Sequence, residues 1–223
     1  MSDRQPTALV TGGSAGIGES IITHLLDDGY RVLNLSRRAS PGKHDNLIDR
    51  QVDLSDVQAT TNAITELAAE YKITSLVHNA GVIRPDLIED VELSDVEYVT
   101  SLHLYASITL VQGVLDAMKA ASFGRIVIIS SRAMLGLETR TGYAATKAAQ
   151  VGLVRTWAME LGKHGITVNA VAPGPIVTDM FTEVVPEDSE KAQQIAQSIP
   201  VKRLGRPDDV ARAVMFLLSP DNG

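Results

Sequence analysis

The 223-residue chain contains no cysteine, which excludes a disulfide framework, a thiolate nucleophile and a cysteine-ligated zinc site. Its histidines, His24, His44, His78, His103 and His164, are scattered without metal-ligand spacing, so no metal site is expected. No apolar run approaches the length that spans a bilayer, and the opening Met1-Ser2-Asp3-Arg4-Gln5-Pro6 lacks the apolar core of a secretory signal. A formal net charge of -7 disfavours nucleic acid or an anionic membrane as partner. Internal repeats, low-complexity tracts and composition breaks are also missing. These absences lead us to expect a cytoplasmic protein with a single domain over residues 1–223, long enough to bury a substantial core.

What is present is organised around Thr11-Gly12-Gly13-Ser14-Ala15-Gly16-Ile17-Gly18, which follows the apolar run Ala8-Leu9-Val10 and opens a helical pattern from Ile17 to Leu26. A strand, a glycine-rich turn and a helix N-terminus in that order make a phosphate cradle. Gly12 permits the tight turn, Gly16 lets backbone approach a pyrophosphate, and Gly18 permits close helix packing. The anion then meets free N–H groups at the positive end of the helix, with Ser14 and Ile17 alongside.

Further along, Gly29 ends the first helix and Arg31 to Leu35 reads as a second strand. Polar residues 39–46 form a loop, a short strand runs from Ile48 to Val52, and Asp53-Leu54 precedes a helix capped by Ser55. Ser75-Leu76-Val77 is a fourth strand running into His78-Asn79-Ala80-Gly81. Ser94 to about Met118 reads as helix, Gly124 to Ile129 as a buried fifth strand, Tyr143 to about Leu161 as helix, and Gly165 to Val171 as a sixth strand. Arg206-Pro207-Asp208-Asp209 starts a last helix, Val210 to Leu218. Alternating strands and helices predict an α/β fold, a Rossmann-like doubly wound parallel sheet, with ligands bound beyond the carboxyl ends of the strands.

Tyr143 and Lys147 lie one helical turn apart on one face, just after the strand ending Ile129-Ser130-Ser131. A hydroxyl, a phenol and a cation thus gather at one sheet edge. At about 4 Å and an effective dielectric near 20, an ammonium stabilises a phenolate by about 4 kcal/mol before desolvation. Half of that lowers a tyrosine pKa by more than one unit, so Lys147 is expected to bring Tyr143 towards a working acid/base.

Taken together, Thr11 to Gly18, Asn79-Ala80-Gly81, Ser131, Tyr143-x-x-x-Lys147 and Pro173-Gly174-x-x-x-Thr178 resemble the short-chain dehydrogenase/reductase family over nearly the whole chain. The resemblance implies hydride exchange between a nicotinamide and a carbonyl or secondary alcohol, with 3-oxoacyl-carrier-protein reduction as the commonest family activity. Carried over, Tyr143 is the acid/base, Lys147 lowers its pKa and binds the nicotinamide ribose, and Ser131 holds the substrate oxygen. Asn79, Ala80 and Gly81 line the adenosine side, Asp53 and Leu54 contact adenine, and Pro173, Gly174, Ile176 and Thr178 embrace the nicotinamide. The family's usual interval from the tyrosine favours Ser130 as the catalytic hydroxyl, whereas anchoring on the strand favours Ser131, leaving Ser130 structural. His103 stands where the family has an asparagine whose main-chain carbonyl holds a relay water, so it either preserves that relay as a catalytic residue or is a helix histidine with no proton role. Relatives also continue beyond Asp221-Asn222-Gly223 into a further strand, which is missing from this sequence.

The second strand ends Leu35-Ser36-Arg37-Arg38, about twenty residues beyond the glycine turn, where an NAD enzyme places a carboxylate. Ser36 leaves room for a 2′-phosphate and Arg37 and Arg38 can hold it, so NADP(H) is the expected cofactor. Arg84, Arg132 and Arg140 fall near the expected entrance, either as solvated surface arginines or as holders of a substrate carboxylate or phosphate. Residues 180–199, with Met180, Phe181, Val184 and Val185, are either a mobile lid or a packed helical excursion. A homodimer or homotetramer is expected through the helices containing residues 103–118 and 143–161. The alternative to an enzyme is a catalytically silent dinucleotide-binding regulatory module.

Overall fold

A computed structural model describes residues 5–183 and 185–222, which leaves Val184, the first four residues and Gly223 outside the account. Six parallel strands form one sheet: β1 (Thr7–Thr11), β2 (Arg31–Ser36), β3 (Leu47–Gln51), β4 (Ser75–His78), β5 (Gly124–Ile129) and β6 (Ile166–Val171). Their order is β3-β2-β1-β4-β5-β6. The chain reverses direction across the sheet between β1 and β4, and the crevice opens there.

The central strands β1, β4 and β5 are buried along their whole length because both faces are covered, whereas β3 and β6 at the sheet edges are partly exposed. Leu9, Leu33, Leu76 and Ile126 point into one layer, against α2 (Val57–Glu70) and α4 (Ala106–Ala121). Their neighbours Ala8, Val10, Val32, Val77 and Val127 point into the other, against α1 (Gly16–Asp27) and α8 (Pro207–Leu218). The remaining helices are α3 (Leu93–Thr100), α5 (Thr141–Leu161), α6 (Asp179–Thr182) and α7 (Glu190–Ser198). Among the described residues, no helix is long and apolar enough to cross a membrane.

Two local expectations need correction. Asp56, not Ser55, caps α2, accepting from the Ala59 N–H at 2.9 Å, while the Ser55 hydroxyl donates to Asp53 at 2.7 Å. The helix expected from Ser94 to Met118 is interrupted by a π-helical turn, Ser101–Tyr105, that contains His103. Such turns widen the helix locally and commonly occur at functional sites. Of the stretch from 180 to 199, α6 and α7 are helical and Val185 and Ala192 are buried, while Met180 is exposed and Val184 lies outside the described residues.

Candidate active site

The glycine turn is built from backbone constraints. Gly12 and Gly16 take φ values of 68° and 57°, a region that glycine enters without steric cost. A Cβ on Gly18 would sit 2.1 Å from the Gly12 carbonyl oxygen, so α1 approaches the turn only with glycine there. The N–H groups of Ile17 and Gly18 have no acceptor among the described residues, leaving donors aimed out of the helix end.

The ends of β1 and β4 are clamped together. Thr11 Oγ1 accepts from the N–H groups of Asn79 (3.0 Å) and Ala80 (2.9 Å), and Asn79 Nδ2 donates to the carbonyls of Thr11 and Gly12. With both lone pairs filled, the Thr11 proton goes to His78 Nδ1 at 3.1 Å, which places the ring proton on Nε2. That Nε2 makes no hydrogen bond; the Leu102 carbonyl is near enough to favour protonation but lies outside hydrogen-bond geometry. Burial, helped by the charge of Lys147, lowers the His78 pKa to about 3, so the ring is neutral.

Beyond β4 and β5 the candidate catalytic side chains assemble. Ser131 caps a 3-10 turn, Arg132–Leu135, accepting from the Ala133 N–H at 3.1 Å, and stands beside Tyr143. Ser130 is buried and donates to the Lys147 carbonyl at 2.8 Å; both serines line the cleft, and the Ser131 hydroxyl is the more exposed of the two. Lys147 is 2% exposed, its Nζ donates to the Ile129 carbonyl at 2.7 Å, and burial lowers its pKa to about 7.

The expectation that Lys147 depresses the Tyr143 pKa is not met by this geometry. The ammonium lies 5.6 Å from the phenol ring centroid and its bond goes to main chain. Burial raises the Tyr143 pKa above its ordinary value, and the Ser131 hydroxyl and the Arg140 charge offset only part of that rise.

His103 is held by bonds on both ring nitrogens. It is fully buried and outside the cleft wall, and burial, with the charge of Lys147, lowers its pKa to about 2. Thr146 Oγ1 lies within 3.0 Å of the Gly142 and Tyr143 carbonyls, which take its proton, so His103 Nδ1–H donates to that oxygen at 2.8 Å. Nε2 then accepts from the Val82 N–H at 3.3 Å. The carbonyl expected to hold a water accepts instead from Ser107 Oγ and from Gln150 Nε2 (3.0 Å). His103 therefore ties the segment after β4 to α5.

One cleft of about 1120 Å³ joins these parts. Gly12, Ser14, Gly16 and Ile17 line one stretch; Ser36, Arg37, Arg38, Asp53 and Leu54 line its far end. Asn79, Ala80 and Gly81 form the floor and lead to Ser131, Tyr143 and Lys147, with Pro173, Gly174, Ile176 and Thr178 opposite. Gly18, like His103, lies behind the wall. Asp53 keeps its carboxyl below the usual range because Ser55 bonds and the Arg37 charge outweigh the raising effect of burial.

A supporting network escaped the sequence reading. Asn34, buried in mid-strand, accepts from the Gly13 N–H (3.0 Å) and donates to Asp49 (2.7 Å) and Ser40 (2.9 Å). It fastens the glycine turn to the loop that carries Arg37 and Arg38. An amide between Leu33 and Leu35 in an apolar strand was the available signal, since a buried polar group requires partners.

Comparison with known proteins agrees with this architecture. A family profile described as short chain dehydrogenase matches residues 6–189. The chain is similar to an acetoacetyl-CoA reductase of Rhizobium meliloti (strain 1021), 36% identical over 223 residues, covering 97% of this chain and 92% of the relative. It is also 33% identical over 226 residues to the 3-oxoacyl-(acyl-carrier-protein) reductase FabG of Staphylococcus epidermidis, covering 96% and 91%. Among solved structures, ElxO with NADP bound superposes with a TM-score of 0.90 at 28% identity, covering 98% of this chain and 93% of that one. A putative NAD(P)-dependent gluconate 5-dehydrogenase from Beutenbergia cavernae, with bound NADP at low occupancy, gives 0.87 at 35% identity, covering 98% and 91%.

Proposed function

The chain belongs to the short-chain dehydrogenase/reductase family, and from that premise we propose that Tyr143, Ser131 and Lys147 carry out its chemistry. The protein is an NADPH-dependent oxidoreductase that interconverts a carbonyl and a secondary alcohol. The observation that carries the residue assignment is the convergence of these three side chains on the cleft that begins at the glycine cradle.

NADP(H) fits the residues present. Unpaired N–H groups at the start of α1 suit the pyrophosphate, and the end of β2 offers Ser36, Arg37 and Arg38 to a 2′-phosphate in place of a carboxylate. The relatives' reductase names and the NADP in the neighbouring structures support the same cofactor. Once bound, the cofactor supplies a hydride to the carbonyl carbon. Tyr143 would give its phenolic proton to the carbonyl oxygen; the hydride brings the two electrons to the carbon, and with that proton the carbonyl leaves as the alcohol. Ser131 holds that oxygen by its hydroxyl. Lys147 binds the nicotinamide ribose and, when charged, supports the phenolate formed as the proton leaves.

The raised Tyr143 pKa suits reduction at neutral pH, because the phenol is protonated and ready to donate. The substrate is a ketone or a 3-oxoacyl group. Assembly is a homodimer or homotetramer through α4 and α5, supported by exposed Tyr105 at the start of α4 and Met159 on α5; light scattering that shows a monomer at micromolar concentration contradicts it. The cytoplasm is the proposed location, where the reduced cofactor is available.

The test of function follows loss of reduced-nicotinamide absorbance against a panel of ketones, aldehydes and 3-oxoacyl thioesters. Turnover of a carbonyl is expected. Tight NADPH binding without turnover of any carbonyl would support the silent regulatory module instead.

A further inference from the structure

Three arginines line the substrate end of the cleft, and their surroundings differ. Arg84 is committed: it pairs with Asp95 at 3.1 Å and lies over the Tyr98 ring, 5.1 Å from its centroid. Arg132 is exposed beside Ser131 and makes no ion pair among the described residues. Arg140 is half-buried immediately before α5, three residues from Tyr143.

The bonding of Arg140 is one-sided. Its Nη1 donates to the Thr139 carbonyl at 3.2 Å and to the Thr139 hydroxyl. Among the described residues, Nε and Nη2 have no acceptor, and that edge is the fork that grips a carboxylate with two parallel bonds. The acidic side chains of the same wall, Glu138, Asp179 and Glu183, pair with neither Arg132 nor Arg140.

The backbone before Arg140 is strained. Thr139 takes a φ of 62°, a left-handed conformation unfavourable for a β-branched residue. Its carbonyl is held by the Asp86 N–H at 3.1 Å as well as by Arg140. Strain of this kind persists where surrounding bonds over-determine it, and it clusters at ligand clamps. Here it fixes one edge of the guanidinium to the protein, while the other edge has no acceptor among the described residues and Arg140 lines the same cleft as Tyr143.

We propose that Arg140 is the binding site for a carboxylate that the substrate carries close to its reacting carbonyl, with Arg132 as a second cation at the same lip. This rests on the oxidoreductase reading above and narrows it: the substrate is a free oxo acid, or the matching hydroxy acid in the reverse direction. A 3-oxoacyl thioester has no charge near its ketone and leaves the Arg140 fork unmatched. Arg140 and Tyr143 line the same cleft, three residues apart in the chain.

The test measures NADPH oxidation with 2-oxo and 3-oxo acids, their methyl esters, the corresponding thioesters and neutral ketones. The wild type is expected to favour each acid over its ester by roughly ten- to a hundredfold in kcat/KM, the range of a lost charge-assisted contact. Arg140→Gln is expected to bring that ratio towards one, and Arg140→Lys to fall between, because lysine keeps the charge without the fork. Should the glutamine variant fail to fold, the wild-type ratio alone decides. Esters or thioesters reduced as well as the acids, or a ratio unchanged in a folded Arg140→Gln protein, overturn the carboxylate site and leave the oxidoreductase reading intact. If no carbonyl of the panel is reduced, both readings fail.

Discussion

Lys147 Nζ donates to the main-chain carbonyl of Ile129 at 2.7 Å, and this single bond joins α5 to the end of β5 in the interior of the protein. An ammonium so buried, with no carboxylate partner among the described residues, is costly to keep charged. The position serves the proposed chemistry at the expense of stability.

That expense is measurable. Burial brings the Lys147 pKa from 10.5 to about 7, so between those pH values the unfolded chain holds a proton that the folded chain does not. Stability therefore rises with pH across this window; the penalty is complete below about pH 7 and absent above 10.5. Cofactor-free Lys147→Met is expected to have a higher Tm than the wild type at pH 7, by the equivalent of a few kcal/mol at most, with the gap closing towards pH 10. The same variant should lose turnover and bind NADPH more weakly. A lower Tm at pH 7, or a gap that widens with pH, contradicts the account.

His103 is expected to show no titration in catalysis. Its neutral ring is held by Thr146 and Val82, so the kcat/KM profile between pH 5 and 8 should be the same shape in the wild type and in His103→Ala. The alanine leaves the Val82 N–H and the Thr146 hydroxyl without their partner, and should destabilise the fold by about 1–3 kcal/mol. A wild-type inflection near pH 6.5 that disappears in the variant would show that the ring does move a proton.

Cofactor choice rests on the end of β2. Ser36 lines the cleft with its hydroxyl donated to the Arg38 carbonyl, which holds the arginine loop against the strand. A preference for NADPH over NADH of at least tenfold in kcat/KM is expected, since one retained contact is worth about 1.4 kcal/mol. Ser36→Asp combined with Arg37→Ala should reverse it, because the new carboxylate binds the ribose hydroxyls and repels a 2′-phosphate. A wild-type enzyme that favours NADH would show that these arginines do not read the phosphate.

The sheet was legible because runs such as Ala8 to Val10 in β1 and Ile126 to Ile129 in β5 are apolar without alternation, the mark of burial on both faces. The cradle was legible because Gly12, Gly16 and Gly18 meet backbone demands that only glycine satisfies at that spacing. Bonds joining distant parts of the chain were not. Spacing placed Tyr143 and Lys147 on one face but could not show that the ammonium turns to Ile129, or that burial outweighs neighbouring charge at the phenol. Equally hidden were the π-helical turn that seats His103 and the Asn34 network, whose members come from β1's turn, β2, the following loop and β3.

The central claim is that the Tyr143 hydroxyl delivers the proton. Tyr143→Phe removes that oxygen and little else, so steady-state turnover of a carbonyl substrate should fall by about 10²–10⁴ while the NADPH dissociation constant, measured by fluorescence titration, stays close to the wild-type value. Near-normal turnover in the phenylalanine variant would contradict the account.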